Sequence, residues 1–364
     1  MPRKATIAAL RRQIDRIDDR VLSLLNRRAR LAQSVGTAKA RDRATVYAPA
    51  REKGVLDRLV ASNAGPLATA HVRAVFREVI SASRSLEQPL RVAYLGPRAT
   101  YTHLAAIAQF GASVEYVPAG SIAEVFHDVE NGRAQLGVVP VENSTEGGVG
   151  HTLDLLVDSP LSICAEVSIP VRHCLLARRG TSLARVRRVV AHPQALPQCR
   201  TWLATHLAGT PLVEAPSNAA AAERAAREAG TAAIAAEAAA TVYGLSVLAR
   251  GIQDDAANTT RFVVLAPVDS PTPSGDDKTS LVVSVRDEVG VLAKLLRPFA
   301  QHAIDLIKIE SRPLRERPWE YYFFLDLRGH RRDARVARAL GAVARRALRA
   351  KVLGSYPAAP GETG

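Results

Sequence analysis

The chain has 364 residues, with 49 Lys and Arg against 35 Asp and Glu for a formal net charge of +14, and it is 47% hydrophobic but only 5% aromatic. Such a length allows two or three domains with a sizeable core, and no apolar run approaches membrane-spanning length. The opening Pro2, Arg3 and Lys4 lead into an amphipathic stretch with Arg11, Arg12 and Asp15 rather than an apolar core, which argues against a secretory signal. Cys164, Cys174 and Cys199 fall outside any CxxC spacing, and the His residues form no HExxH. The expectation is a cytoplasmic protein without metal, cofactor or membrane partner. The positive excess gathers at Arg328, Arg331, Arg332, Arg335, Arg338, Arg345, Arg346, Arg349 and Lys351, where apolar residues recur at helical spacing. That pattern reads as the solvated face of a helix, with no nucleic-acid partner.

The first predicted element carries a seam of positions three and four apart: Ile7, Leu10, Ile14, Ile17, Val21, Leu24, Arg28, Leu31, Val35, Ala38. Such a seam buries one stripe of a long helix against partner helices, and only Arg28 in it is not apolar. A guanidinium there needs an anion or a hydrogen-bonded partner. Lys39 shares the face of Arg28 roughly 16 Å further on, so both can lean onto one small dianion, whereas Arg11 lies about 25 Å from Arg28. If Arg11 belongs to the same site, a second copy of the helix supplies it, and the protein is a homodimer or larger homo-oligomer. A coiled coil whose single polar residue sets the register accounts for the seam as well. A later helical stretch containing His71–Ser85 stops at Pro89, closing a helical module over residues 1–88.

In this module LRRQIDRIDDRVLSLLNRRARLAQSVGTAK, followed by AREKGVLDRL, resembles the all-helical chorismate mutase family. The resemblance implies that Arg28 and Arg11 of a second copy hold the substrate carboxylates. It implies further that Lys39 reaches the ether oxygen, that Glu52 with Arg51 beside it meets the ring hydroxyl, and that Ser83 and Glu87 close the site. Chorismate rearranges to prephenate by a pericyclic shift without a nucleophile, so catalysis rests on clamping the reactive conformer and stabilising charge on the breaking bond. Ala48 stands where some members carry an acid, and Glu87 where others have Gln. An ionised Glu87 would repel the ether oxygen, so this reading requires a carboxyl kept protonated by burial and mutase activity that falls as pH rises.

The central module, residues 91–268, alternates strand-like and helix-like segments: RVAYL, THLAAIAQF, SVEYVP, IAEVFHDVE, QLGVVPV, TLDLLV. This is an α/β pattern. Its loops carry hydroxyls and glycines at helix starts, in Gly96–Tyr101 and in Glu142–Gly148, which suits carboxylate binding and ordinary capping alike. Together with Ala191-His192-Pro193-Gln194, Ser217-Asn218-Ala219-Ala220 and Asn258-Thr259-Thr260-Arg261-Phe262, these loops resemble prephenate dehydratase, with five motifs in family order. The implied fold is two α/β lobes like a type 2 periplasmic binding protein, the second running from about residue 166 to 250. Thr260 is then the key hydroxyl, a hydrogen-bond donor to the leaving oxygen that relays a proton from Glu142 or water. Thr100, Glu142, Asn143, Ser144, Gln194, Ser217 and Arg261 bind or orient prephenate. Ala99 replaces the family's usual Gly.

Residues 267–278, PVDSPTPSGDDK, read as a linker by composition. Beyond it, residues 278–357 follow a βαββαβ order that resembles the ACT domain, a family of small-molecule sensors. Gly290-Val291-Leu292-Ala293 and Glu310-Ser311-Arg312-Pro313 match its two phenylalanine-binding motifs, with Val291 where Ala is usual. The implied effector is L-phenylalanine, its carboxylate met by backbone donors at Gly290 and its ring by an apolar interface.

The three resemblances follow the module order of bifunctional chorismate mutase–prephenate dehydratases, enzymes that make prephenate from chorismate and then phenylpyruvate from prephenate. Two other readings stay open on sequence alone. One is a dehydratase whose helical module only dimerises, and the other is an amino-acid-responsive regulatory protein, for which no helix-turn-helix reader is visible.

Overall fold

The computed structural model describes residues 6–42, 47–286, 288–313 and 321–359. The chain divides into two compact units, Met1–Leu90 with Phe110–Glu115 and Arg91–Gln109 with Tyr116–Gly364. No described helix is long and apolar enough to cross a membrane.

The first unit contains α1 (Ile7–Asp42), α2 (Pro49–Ala61) and α3 (Thr69–Glu87). Lys39 and Arg41 sit in the last turn of α1, where they complement its carbonyl end, and Pro49 opens α2 where no N–H is required. The C-terminal half of α1 packs on α3. Gly36 permits the close approach, because a Cβ there would meet Glu87 Cα at 2.9 Å. Much of the apolar seam of α1 nevertheless faces solvent, with Ile7 71%, Leu24 63% and Leu31 62% exposed, and Leu10, Ile14, Ile17, Val21 and Val35 exposed as well.

The second unit begins with β1 (Arg91–Leu95), α4 (Tyr101–Phe110), β2 (Glu115–Ala119), α5 (Ile122–Glu130), β3 (Leu136–Asn143), β4 (Gly147–Gly148), α6 (Gly150–Asp158) and β5 (Ser162–Pro170). The chain then crosses into a second lobe, with β6 (Cys174–Arg178), β7 (Arg188–Ala191), α7 (Ala195–Gln198), α8 (Arg200–His206), β8 (Leu212–Glu214), α9 (Asn218–Arg227), β9 (Thr231–Ala235), α10 (Ala238–Tyr243) and β10 (Leu245–Arg250). Strand β11 (Thr259–Ala266) returns to the first lobe. The two mixed sheets run β2-β1-β3-β11-β5 and β10-β6-β9-β7-β8, each over its own apolar core. The expected two-lobed α/β architecture is what the chain adopts.

The C-terminal part comprises β12 (Asp277–Ser284), α11 (Val291–Gln301), β13 (Leu306–Pro313), β14 (Tyr321–Arg328), α12 (Ala334–Ala344) and β15 (Arg349–Pro357), with sheet order β13-β14-β12-β15. Its Val282, Phe324, Leu353 and Tyr356 join the same apolar core as Val139, Leu156 and Ile163 of the first lobe. A Cβ on Gly354 would meet the Ile163 carbonyl oxygen at 2.0 Å, so the two parts touch backbone to backbone.

One expectation needs correction here, and another gains detail. The stretch read as a linker has no regular structure before Asp277 and is half exposed, but it is anchored: Asp269 and Ser270 are buried, Asp269 accepts from Ser355 N at 2.9 Å and from Arg331 at 2.8 Å, and Asp277 accepts from Ser274 and Gly275 N. Buried hydrogen bonds that local composition does not register hold it. The basic cluster is the expectation that fails: it is not one solvated helix face, since α12 ends before Arg349 and begins after Arg331. Arg328 pairs with Asp305 at 3.0 Å, Arg349 with Asp158 at 2.9 Å, and Lys351 donates to the Leu156 carbonyl at 2.8 Å.

Candidate active sites

In the helical unit the fold brings Arg28, Lys39, Glu52, Ser83 and Glu87 together. Arg28 donates to the Ser83 hydroxyl and, at 3.3 Å, to the Val79 carbonyl of α3. Lys39 Nζ stands 3.2 Å from Glu87 Oε2. That ion pair replaces the isolated buried acid that the sequence reading required of Glu87. Glu52 on α2 is bound by Arg84 of α3, which sequence reasoning missed. Arg84 is 4% exposed and lies over the Tyr47 ring at 5.3 Å, a buried guanidinium held by a carboxylate and an aromatic face. Burial pushes the Glu52 carboxyl above its ordinary value, against the opposing pull of Arg84 and Lys39. Burial also lowers the Arg28 pKa, while Glu87 and Glu52 act to raise it. Arg11 and Arg51 are exposed, Arg51 directly before Glu52 on α2.

The second candidate site is the cleft of the two-lobed part, where two adjoining cavities of about 440 and 620 Å³ share Tyr101, His192, Gln194 and Asn218. Asn143 and Thr260 line the first, Thr100 and Ser217 the second. Thr100 Oγ1 accepts from His103 N at 3.2 Å, and Ser217 Oγ accepts from Ala220 N at 3.0 Å. Both hydroxyls therefore cap helices as well as face the cleft.

Asn143 and Thr260 are direct cross-strand partners on β3 and β11. The Asn143 amide nitrogen donates to Thr260 Oγ1 at 2.9 Å and to Asn258 Oδ1 at 2.8 Å. Its oxygen accepts from Thr145 N at 3.1 Å and Glu146 N at 3.2 Å, which fixes the orientation of the amide. Because Thr260 Oγ1 already accepts, its own proton is free to point elsewhere. Ser144 belongs to the loop's support, its hydroxyl accepting from Thr259 N at 3.0 Å.

Strand alternation takes the neighbouring residues away from this cleft. Glu142 and Arg261, also cross-strand partners, pair with each other at 3.2 Å on the opposite side of the sheet and line neither cavity. Arg261 continues to Asp326 at 2.7 Å and Glu166 at 3.2 Å. Burial opposes its charge, but Asp326 and the surrounding acids outweigh that and hold its pKa well above the ordinary value. The expected proton relay from Glu142 to Thr260 thus has no path, because the two side chains leave their strands in opposite directions.

The carboxylate lining the cleft is Glu146, and its oxygens accept from the side-chain amides of Gln194 and, at 2.8 Å, Gln198. Beside it, His173 Nε2 lies 3.0 Å from Gln198 Oε1, and its Nδ1 lies 3.2 Å from the Tyr101 hydroxyl, which donates to the Arg172 carbonyl at 2.8 Å. Burial lowers the His173 pKa, against its hydrogen bond to Gln198, and raises that of Tyr101, so both rings are biased toward their neutral forms beside the Glu146 carboxylate. Sequence reasoning missed Glu146, His173 and Gln198; the four-residue spacing of Gln194 and Gln198 was the visible signal for the last.

In the C-terminal part Gly290 takes a left-handed conformation (φ 76°) at the start of α11, with Leu292 and Ala293 exposed and Val291 half-buried. On β13, Ser311 and Pro313 are exposed, whereas Glu310 and Arg312 turn toward the first lobe. There Arg312 pairs with Asp154 at 3.0 Å.

Comparison with known proteins matches each part. The chorismate mutase type II family model fits residues 10–88, the prephenate dehydratase model residues 92–270 and the ACT domain model residues 279–345. The bifunctional chorismate mutase/prephenate dehydratase of Stutzerimonas stutzeri is 45% identical over 358 residues, covering 97% of this chain and 98% of its own length. That of Aquifex aeolicus strain VF5 is 44% identical over 354 residues, covering 96% and 97%. Among solved structures, prephenate dehydratase from Arthrobacter aurescens in complex with L-Phe shares 35% identity at a TM-score of 0.69, over 74% of this chain and 90% of that one.

Proposed function

The chain belongs to the family of bifunctional chorismate mutase/prephenate dehydratases, and from that premise we propose how its own residues perform the two reactions. It rearranges chorismate to prephenate, and it converts prephenate to phenylpyruvate with loss of carbon dioxide and water.

In the mutase, Arg28 and Lys39 clamp a substrate carboxylate and the ether oxygen from two heights on one helix face, and Glu52 takes the ring hydroxyl. Ser83 aims the Arg28 guanidinium and Glu87 aims the Lys39 ammonium, so the cations are set before substrate arrives. The exposed seam of α1 is covered by α1 of a second copy, which brings in Arg11, and Arg51 flanks Glu52 at the rim. The functional mutase is on this reading a homodimer.

In the dehydratase, the electron pair of the breaking carbon–carboxylate bond moves into the ring and expels the ring hydroxyl as the ring aromatises. Hydroxide leaves poorly unless a donor meets it. Thr260 is that donor, and the observation that carries the assignment is the 2.9 Å hydrogen bond by which Asn143 occupies its oxygen and leaves its proton for the cleft. Accepting one hydrogen bond also polarises the hydroxyl as a donor. Thr100, Gln194 and Ser217 orient the substrate carboxylates from the adjoining cavity, with Ser144 bracing the loop, while Glu142 and Arg261 act from behind the sheet.

L-phenylalanine is the effector, bound through Gly290, Val291, Leu292 and Ala293 together with the outward Ser311 and Pro313, while Glu310 and Arg312 of the same motif hold β13 against the first lobe. The L-Phe complex of the Arthrobacter aurescens relative and the left-handed Gly290 support this. Three free, buried cysteines suit a cytoplasmic enzyme.

The test supplies chorismate to the purified chain and follows its consumption and phenylpyruvate separately, with and without phenylalanine. Both reactions should proceed, and phenylalanine should suppress the second. Prephenate turnover with chorismate untouched would reduce the helical module to a dimerisation device.

A further inference from the structure

Strand β13 has two faces. Ile307, Ile309, Ser311 and Pro313 point outward and are exposed, while Lys308, Glu310 and Arg312 point inward against the first lobe. The inward residues lie along one continuous stretch of that lobe. Lys308 Nζ stands 3.1 Å from Glu142 Oε2 and 3.0 Å from Glu310 Oε2, and its side chain is 14% exposed. The Glu310 carboxylate presses on Gly148, where a Cβ would meet both oxygens at 2.2 Å. Arg312 covers Gly150 and reaches Asp154. Gly148 pairs with Glu142 and Gly147 with Asn143, so the pressed hairpin is the one that holds Asn143.

We propose that Lys308 is a positioning residue of the dehydratase site and the link through which the ACT module acts on it. The inference rests on the reading of Asn143 and Thr260 as cleft machinery. Glu142 precedes Asn143 on β3, and Arg261 follows Thr260 on β11. The pair Glu142–Arg261 locks the two strands one residue away from the pair Asn143–Thr260. Lys308 is the cation that this lock shares with the effector motif, through Glu310. Without it, Glu142, still held by Arg261, and Glu310 face each other with no cation between them in a half-buried seam, and their repulsion loosens the hairpin that holds the Asn143 amide. A strand moves as a plate, so a ligand seated on the outward face of β13 displaces Lys308 and Glu310 together, and the hydrogen bond to Thr260 with them.

The experiment uses the full-length chain with Lys308→Met, Lys308→Arg and, in parallel, Thr260→Ala. Read-outs are mutase rate, dehydratase kcat and KM, suppression by phenylalanine, and phenylalanine binding by calorimetry. Lys308→Met should lower dehydratase kcat at least about tenfold. Mutase rate and phenylalanine affinity should remain within about threefold, and suppression by saturating phenylalanine should be largely lost. Lys308→Arg should restore both kcat and suppression. Unchanged kcat and suppression in Lys308→Met, with Thr260→Ala inactive as a dehydratase, would overturn this proposal alone. A parallel fall in phenylalanine binding and kcat that Lys308→Arg does not repair would assign Lys308 a merely structural role and overturn it too. Dehydratase turnover surviving in Thr260→Ala would overturn the reading of the cleft, and this proposal with it.

Discussion

The helical site and the cleft solve different chemical problems with different materials. In the helical unit, fixed cations on α1 are aimed by Ser83 and Glu87 of α3, which suits a pericyclic shift that asks only for clamping and charge stabilisation. In the cleft, a neutral amide and a neutral hydroxyl meet across two strands, and the charges of those strands are turned to the far side. A departing hydroxide needs a donor held with its proton free, and an ammonium or guanidinium is not required to supply it. The helical site is also open-ended, with an apolar seam left in water, whereas one chain supplies every residue assigned to the cleft. On the proposed reading, charge is the instrument where bonds only redistribute, and geometry of a single proton is the instrument where a group must leave.

Thr260→Ala separates the two sites most sharply. Dehydratase turnover should fall by about a thousandfold, measured as phenylpyruvate formation, with the mutase rate within twofold. Equal loss of both rates would make Thr260 a folding residue.

Arg28→Ala is the mirror experiment. Mutase kcat/KM should drop by about a hundredfold or more while phenylpyruvate formation from supplied prephenate is kept. Mixing Arg11→Ala with Arg28→Ala subunits should then recover about a quarter of the wild-type mutase rate, because half of the dimers carry one intact site of two. No recovery would confine each site to a single chain.

Glu52 tests the charged site by pH. Its carboxyl is raised above the ordinary 4.5, so the folded state holds the proton more tightly than the unfolded chain. The resulting stability is fully present below the ordinary value and is lost as pH rises through the raised one. Denaturation followed by helical circular dichroism should therefore show Glu52→Gln gaining on the wild type as pH rises above the ordinary 4.5. A constant offset between the two would remove Glu52 as the titrating group.

The smallest effect belongs to the cleft's first loop. Ala99 sits at φ 66°, a left-handed conformation that costs a residue with a Cβ about 1 kcal/mol. Ala99→Gly should raise stability by up to about that amount, less what the freer unfolded chain takes back, with little change in turnover. A loss of stability would mean that packing around the buried Ala99 methyl outweighs the strain.

The long first helix, the module order and the αβ alternation were legible because each is written in local spacing: seven-residue steps from Ile7, strand runs such as RVAYL, and hydroxyls at helix starts. Arg28 and Lys39 were readable as partners for the same reason, since helix geometry alone puts them on one face. Arg84 was not, because its role depends on where Glu52 and Tyr47 arrive from other segments. Asn143 and Thr260 stood in recognisable motifs, yet nothing in their spacing shows that they meet.

By itself the sequence determined the three modules, the amphipathic faces of the helices and the residue types offered to each site. Tertiary structure alone decided which side of β3 and β11 faces the cleft, and so separated Asn143 and Thr260 from Glu142 and Arg261. It also decided that Asp269 and Ser270 anchor the stretch 267–278, and that β13 lies with Lys308 on Glu142. The physical reason is that a strand's two faces are equivalent until a sheet partner and a core choose between them, and a buried charge has no defined role until distant segments surround it.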